Sequence, residues 1–194
     1  LNDGKKTRPH LVKEIINPET KVSKPVVVNS IAEITLKPEN TAVIRQALVG
    51  VNLEGTSAAS FVGAGYTSGG KTGTAQVYSV RENEKYNASK VDERMRDHAL
   101  FMAYAPAEDP KVVLAMVVEN SGFGAQNAAP IARRVFDFLL LGQYPAEEDI
   151  AAVQLGQATK PIGKPRPVAS VPWSNASDKS GTTEALPSNA QLTP

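Results

Sequence analysis

The sequence has no cysteine and only two histidines, His10 and His98. Without thiolates, and with one imidazole at each of two distant positions, it offers no donor set for a zinc or iron–sulfur centre. Charge of either sign is not in excess. Lys and Arg number 21, Asp and Glu 20, and the net charge is +1. That balance gives no electrostatic footprint for nucleic acid or for an anionic membrane surface. Long apolar runs are missing as well. The longest is Val112 to Val118, far short of the roughly 20 residues a membrane helix needs. No signal peptide is visible at Leu1, and the chain reads as a piece of something longer or as a processed product. Internal repeats are absent. What remains is a chain of 194 residues, enough for one ordinary domain with a real core.

Composition divides that chain. Seven of the fourteen prolines lie from Pro145 onward, and Tyr144 and Trp173 are the only aromatics after residue 142. Such a stretch buries too little apolar area to offset its chain entropy. Residues 1–142 are therefore expected to be the folded unit and 143–194 a disordered tail rich in Pro, Ser and Ala, with Trp173 as a solvated aromatic or, alternatively, a docking anchor.

Within 1–142, "HLVKEIIN" and "KPVVVNS" read as short extended runs around the turn Asn17-Pro18. A helix follows from Pro38, with Glu39 beside it in the first turn and Ile44, Ala47, Leu48 and Val51 at helical spacing. "TGTAQVYSV" reads as a strand and 81–96 as a charged, exposed excursion. "HALFMAYAP" is apolar on both faces, which predicts a central strand covered on both sides. "KVVLAMVVEN" predicts a second buried strand in a hairpin with it. The last element is an amphipathic helix with Ala128, Ile131, Ala132, Val135 and Leu139 on one face, ending before Gly142. The whole is an α+β arrangement, an antiparallel meander covered by helices.

The stretch "GYTSGGKTGTAQ", residues 65 to 76, matches three patterns at once, and Lys71 belongs to all three. Gly65, four residues and Gly70-Lys71-Thr72 match a phosphate-binding loop. That loop needs a helix after it, whose free N–H groups hold the anion. Here a strand is predicted, and the only acidic candidate for a magnesium ion is Glu119 at a strand end. Ser68-Gly-Gly-Lys71 matches S-x-x-K, a nucleophile box that needs one helical turn to bring the amine beside the hydroxyl. Two glycines, each about 1 kcal/mol worse than alanine in a helix, stand where that turn should be, and Ser68 then reads as a loop serine. Lys71-Thr72-Gly73 matches K-T-G, which belongs on a strand edge facing a cleft. The ammonium supplies positive charge, the hydroxyls hold a carboxylate, and the glycine allows close approach of a substrate backbone. An edge strand also pairs with an extended peptide and offers an N–H to an oxyanion. Only this third pattern agrees with the predicted local structure.

Around it, "GGKTGTAQVYS", "RMRDHALFMAYAPAEDPKVVLAMVVENSGFG", "AAPIARRVFDFLL" and the opening "NDGKKTRPHLVKEI" resemble the penicillin-binding proteins, most closely the elongation-type penicillin-binding protein 2 family, over about residues 2 to 141. The resemblance implies the C-terminal part of a transpeptidase domain with a serine beta-lactamase-like fold. It implies a D,D-transpeptidase that cross-links peptidoglycan stem peptides, is acylated by beta-lactams, uses no cofactor, and works with membrane proteins of the elongation machinery at the periplasmic face of the bacterial inner membrane. By the same resemblance, Lys71 supplies charge to the nucleophile's proton relay, Thr72 and Thr74 contact the substrate carboxylate, Gly73 completes the box, and the Thr74 N–H forms half of the oxyanion hole. His10 and His98 receive no catalytic role, and His98 reads as structural. The chain departs from the family in one respect that decides its expected status. No S-x-x-K stands apart from K-T-G, and no serine is followed two places on by asparagine. The expectation is a fragment lacking its nucleophile and inactive without the upstream half of the same enzyme. A non-catalytic interaction protein that keeps half the fold is the alternative, and a nucleotide-binding loop the remaining one.

Overall fold

The computed structural model of the chain describes residues 4–77, 79, 86–157 and 159–171. Two short antiparallel pairs come first: β1 (Lys5–Thr7) pairs with β4 (Ser30–Glu33), and between them in the chain β2 (Glu14–Ile16) forms a hairpin with β3 (Ser23–Pro25). The turn between β2 and β3 is held by Asn17, whose Oδ1 accepts from the N–H groups of Glu19 and Thr20 at 2.9 and 3.0 Å, as an Asx turn does. Helix α1 (Pro38–Leu53) begins on its predicted proline with Glu39 in the first turn. A four-residue helix, α2 (Ala58–Phe61), then leads to the sheet.

That sheet has the order β5-β6-β7, antiparallel throughout, from β5 (Gly69–Ala75), β6 (His98–Ala105) and β7 (Val112–Val118). α3 (Gly124–Asn127) and α4 (Ala129–Leu141) follow. The meander and its covering helix agree with the sequence pattern, but their burial does not. β6 is fully covered on one face and only in part on the other, where Tyr104 is buried and Leu100 half-buried. Ala99, Phe101, Ala103 and Ala105 join Phe61, Ala128, Ala129, Ala132 and Phe136 in the core, whereas Met102 on the other face is 61% exposed. β7 alternates half-buried and exposed residues, with Val113 at 65% and Val117 at 60%. A sequence apolar on both faces marks a sheet built for two covers, and among the described residues the second reaches Tyr104 but leaves Met102, Val113 and Val117 open.

α4 turns inward a side shifted from the predicted one. Of the predicted stripe, Ala128 and Ala132 are fully buried, but Ile131, Val135 and Leu139 are half-buried to exposed, while Arg133, Phe136 and Asp137 are buried. The reason is a polar network that an apolar count cannot see. Arg133 Nε donates to both oxygens of Asp137 at 2.8 and 3.0 Å. Its Nη1 reaches the carbonyls of Ser60 and Val62 at 3.2 and 3.0 Å, and Nη2 that of Gly63 at 3.3 Å. Tyr66 adds its hydroxyl, donating to Asp137 Oδ1 at 2.9 Å. Burial first, and then the Asp137 carboxylate, push the Tyr66 phenol well above its usual range, so it remains a donor. The guanidinium thus satisfies the carbonyls at the end of α2, which the short helix itself leaves open. α1 shows a similar offset. Ile44 and Ala47 are exposed, and Asn52 is its buried residue.

The structure differs most from the sequence reading after residue 142. Gly142 caps α4 in the left-handed region at φ 61°, as predicted for a helix end. The chain then forms β8 (Gln143–Tyr144), α5 (Glu147–Gln154) and β9 (Arg166–Pro167), with β8 and β9 paired. Polar anchors hold it. Asp149 is fully buried and accepts from Arg134 Nε and Nη2 at 2.8 and 2.5 Å and from the Ile162 N–H at 3.1 Å. Arg166 lies 5.4 Å from the Tyr144 ring centre and donates to the Pro145 carbonyl at 3.2 Å. Residues 143–157 and 159–171 therefore belong with the folded unit and not with a disordered tail. Trp173 lies outside the described residues.

Removing one partner of a buried ion pair strands the other, at a cost of about 3–5 kcal/mol. Asp149→Ala is therefore expected to destabilise the chain by that amount in urea unfolding. The double change Arg134→Met with Asp149→Leu, which removes both charges, is expected to cost much less. Equal losses in the two variants would show that the pair does not anchor this segment.

Candidate active site

All four predicted site residues lie on β5, an edge of the three-stranded sheet. An edge strand leaves every second N–H and C=O outside the ladder, the arrangement an added peptide strand needs. Cross-strand partners share a face, so the register assigns sides. Lys71 stands opposite Met102 and Gly73 opposite Leu100, on the uncovered face. Thr72 stands opposite Phe101 and Thr74 opposite Ala99, on the side of the core. Lys71 is exposed, and its Nζ donates to the Thr72 carbonyl at 2.8 Å. Thr74 is exposed where the strand runs past the core, and it borders a cleft of about 440 Å³ with Tyr86, Arg96, Asn120 and Phe123 on its walls.

The competing patterns find no support in this geometry. Strand, not helix, carries Lys71 and Thr72, so no helix N-terminus stands ready for a phosphate. Ser68 is buried at 6% exposure and accepts a hydrogen bond from Asn52 Nδ2 at 2.9 Å. No helical turn lies between it and Lys71, so the serine hydroxyl and the amine are not brought together. His98 Nδ1 accepts from the Asn120 N–H at 2.9 Å, tying the end of the β6–β7 hairpin to β6. Glu119 is the first residue of the turn that follows β7.

Behind β5 lies a polar cluster that sequence reasoning did not assemble. Ser57 Oγ shares its proton between Asn52 Oδ1 at 2.6 Å and the Val51 carbonyl at 3.1 Å, and Asn52 passes the chain on to Ser68. Ser57, Asn52 and Ser68 are all buried. A β-carbon on Gly70 would come within 2.7 Å of the Phe101 ring and 2.9 Å of Asn52 Oδ1. Glycine there is what lets the cluster sit against the strand. The exposed neighbour of Ser57, Thr56, places its Oγ1 3.1 Å from Thr72 Oγ1. Gly124 was also missed. A β-carbon on it would lie 2.0 Å from the Leu100 carbonyl oxygen and 2.7 Å from that of Gly73. The start of α3 is therefore seated directly on the backbone of the K-T-G glycine. The only sequence signals were the Gly-Thr-Ser turn after α1 and the glycines following Glu119, neither specific.

A family model described as the penicillin binding protein transpeptidase domain matches residues 1–137. The peptidoglycan D,D-transpeptidase MrdA of Haemophilus influenzae is 40% identical over 153 residues, which are 76% of this chain and 23% of that protein. The protein of the same name from Salmonella typhimurium is 36% identical over 144 residues, 72% of this chain and 23% of that one. Among solved structures, the D,D-transpeptidase domain of a peptidoglycan glycosyltransferase from Eggerthella lenta superposes with a TM-score of 0.53 at 28% identity, covering 72% of this chain and 29% of that one. The chain belongs to the penicillin-binding protein transpeptidase family, of the type represented by MrdA. It spans about a quarter of the length of the curated relatives it matches. Among its described residues no helix is long and apolar enough to cross a membrane.

The contact at Gly124 generates a test. Gly124→Ala forces its new methyl against two backbone oxygens that cannot rotate away, so β5 or α3 has to move. The expected loss is roughly 1–3 kcal/mol, the scale of overpacking, with amide NMR shifts concentrated at residues 72–74 and 99–101. Wild-type stability with an unmoved Gly73 amide would show that α3 does not bear on the site.

Proposed function

We propose that this chain supplies one wall of the active site of a serine-type peptidoglycan D,D-transpeptidase, and that the nucleophile box is provided by residues outside these 194. The observation that carries the reading is the position of Lys71. It stands on an edge strand beside an open apolar stretch of the sheet face, where Met102, Val113 and Val117 are exposed and Leu100 is half-buried. An exposed apolar face of this kind marks a surface made to be covered, and its cover would close a cleft against Lys71. In that cleft the ammonium stabilises negative charge on the nucleophile's proton relay. Thr72 and Thr74 hold the substrate carboxylate, the Thr74 N–H donates to the oxyanion, and the stem peptide adds along the edge of β5. Beta-lactams act as acylating substrate mimics, and no cofactor takes part. The intact enzyme works at the periplasmic face of the bacterial inner membrane with membrane proteins of the elongation machinery. The relatives' name and the family match support the activity; the edge position of β5 supports the roles of Lys71, Thr72, Gly73 and Thr74.

The 194-residue chain alone is expected to take no covalent label from a fluorescent penicillin. A labelled band lost on Ser68→Ala would return the nucleophile to Ser68. In the complete transpeptidase unit, Lys71→Ala is expected to keep its circular dichroism spectrum and lose roughly two to three orders of magnitude in second-order acylation rate, the scale for one strong electrostatic donor. Lys71→Arg should recover part of it, because a planar fork places its charge differently from a compact ammonium. A folded Lys71→Ala that acylates at the wild-type rate would make Lys71 an ordinary surface lysine. A complete unit that takes no label at all would leave a non-catalytic interaction protein as the reading.

A further inference from the structure

Thr72 does not stand alone on β5. Its Oγ1 lies 3.1 Å from Thr56 Oγ1, and either atom is placed to donate. Thr56 comes from a different element, the turn between α1 and α2, sixteen residues earlier in the chain. That turn is held from several sides. The Glu54 and Gly55 N–H groups both donate to the Gly50 carbonyl at 2.9 and 2.8 Å, and the Ser57 N–H donates to the Val51 carbonyl at 3.2 Å. A β-carbon on Gly55 would lie 2.8 Å from Val51 Cα, so the turn is folded hard against the end of α1. Ser57, next to Thr56, is 1% exposed and bound into the Asn52–Ser68 cluster. Thr56 is thus an exposed hydroxyl on a fixed mount, aimed at the side chain of the K-T-G threonine.

We infer that Thr56 is a positioning residue for Thr72 and sharpens the site's preference for substrates with a free carboxylate. The inference rests on the transpeptidase reading, in which Thr72 meets that carboxylate. A hydroxyl has one proton and two lone pairs. When Thr72 gives its proton to the carboxylate, its oxygen accepts the proton of Thr56. The Thr56 bond then does two things. It points the Thr72 proton away from Thr56 and out toward the ligand, and it polarises the Thr72 O–H, since hydrogen bonds in a chain strengthen one another. Both effects grow with the charge on the acceptor, because hydrogen bonds to ionised groups are the strong ones. A ligand whose carboxylate is masked as an ester gains little from them.

The test uses the complete transpeptidase unit, with acylation followed by intact-protein mass spectrometry for benzylpenicillin and for its methyl ester. Thr56→Val keeps the shape and removes the hydroxyl. It is expected to lower the second-order acylation rate by benzylpenicillin about 3- to 10-fold, the size of one neutral hydrogen bond. The loss should fall in the half-saturating concentration and not in the limiting rate, and the ester should change less than about 2-fold. Thr56→Ser is expected to restore the benzylpenicillin rate, and Thr56→Ala to repeat the valine result. Equal losses for acid and ester would reduce Thr56 to a fold-stabilising residue and overturn the inference. So would an unchanged rate for the acid. A wild-type unit that neither compound acylates would overturn the transpeptidase reading and this inference with it, an outcome distinct from a labelled wild type beside an unaffected Thr56→Val.

Discussion

A methyl group on Gly70 would collide with the Phe101 ring and with Asn52 Oδ1, and one on Gly124 with the carbonyl oxygens of Leu100 and Gly73. The strand that carries Lys71 is thus approached to backbone distance by the end of α1 and by the start of α3. Most of the local architecture depends on that closeness. It brings Asn52, Ser57 and Ser68 into one buried hydrogen-bonded chain. Every buried polar group in such a chain needs its partners in fixed places, so the chain in turn fixes the turn that presents Thr56. A side chain at position 70 would do more than crowd the core. It would separate the polar cluster from the strand and leave buried hydroxyl and amide groups unpaired.

Arg133 plays the corresponding part from the opposite end of the core. One guanidinium on α4 is bound to Asp137 on its own helix and to three carbonyls around the end of α2. Tyr66 closes the arrangement from the segment that leads into β5. The strand therefore hangs between two polar anchorages, one on α1 and one on α4, with the apolar contacts of Phe61, Phe101 and Phe136 between them. Apolar contact is non-directional; the anchors add direction. Together they set where along its length β5 lies, which a core of alanines and phenylalanines alone would leave loosely specified.

Period and punctuation made much of this legible in the sequence. The order of β5, β6, β7 and α4 followed from β-branched and continuously apolar runs and from the 3.6-residue stripe, the start of α1 from Pro38, and the end of α4 from Gly142. K-T-G could be separated from its two rivals because strand and helix signals differ on either side of it. Two of the failures share a cause. Wherever a charged residue is buried, apolar counting points the wrong way. It placed Ala128 and Ala132 correctly on the inner face of α4 but added Ile131 and Leu139, where Arg133 and Asp137 are buried instead. It assigned everything from residue 143 to an unstructured tail, when the Arg134–Asp149 pair anchors residues 143–157 and 159–171. The pairing of Thr56 with Thr72 was invisible for a different reason. It joins residues from two elements, and no local pattern encodes such a meeting.

The uncovered face of the sheet bears on what Lys71 is worth. In this chain the ammonium is exposed, and water screens it. At 4 Å, two unit charges interact by about 1 kcal/mol in bulk water and by about 4 kcal/mol at an effective dielectric of 20. Whatever covers Leu100, Met102, Val113 and Val117 would also remove water from beside Lys71. In the proposed enzyme the segment bearing the nucleophile would therefore do more than bring a serine to the cleft. By completing the second cover of the sheet it would raise the strength of the charge already waiting there. In that proposal the catalytic value of Lys71 would be a property of the closed cleft and not of β5, and β5 alone would hold the position of the charge without its effect.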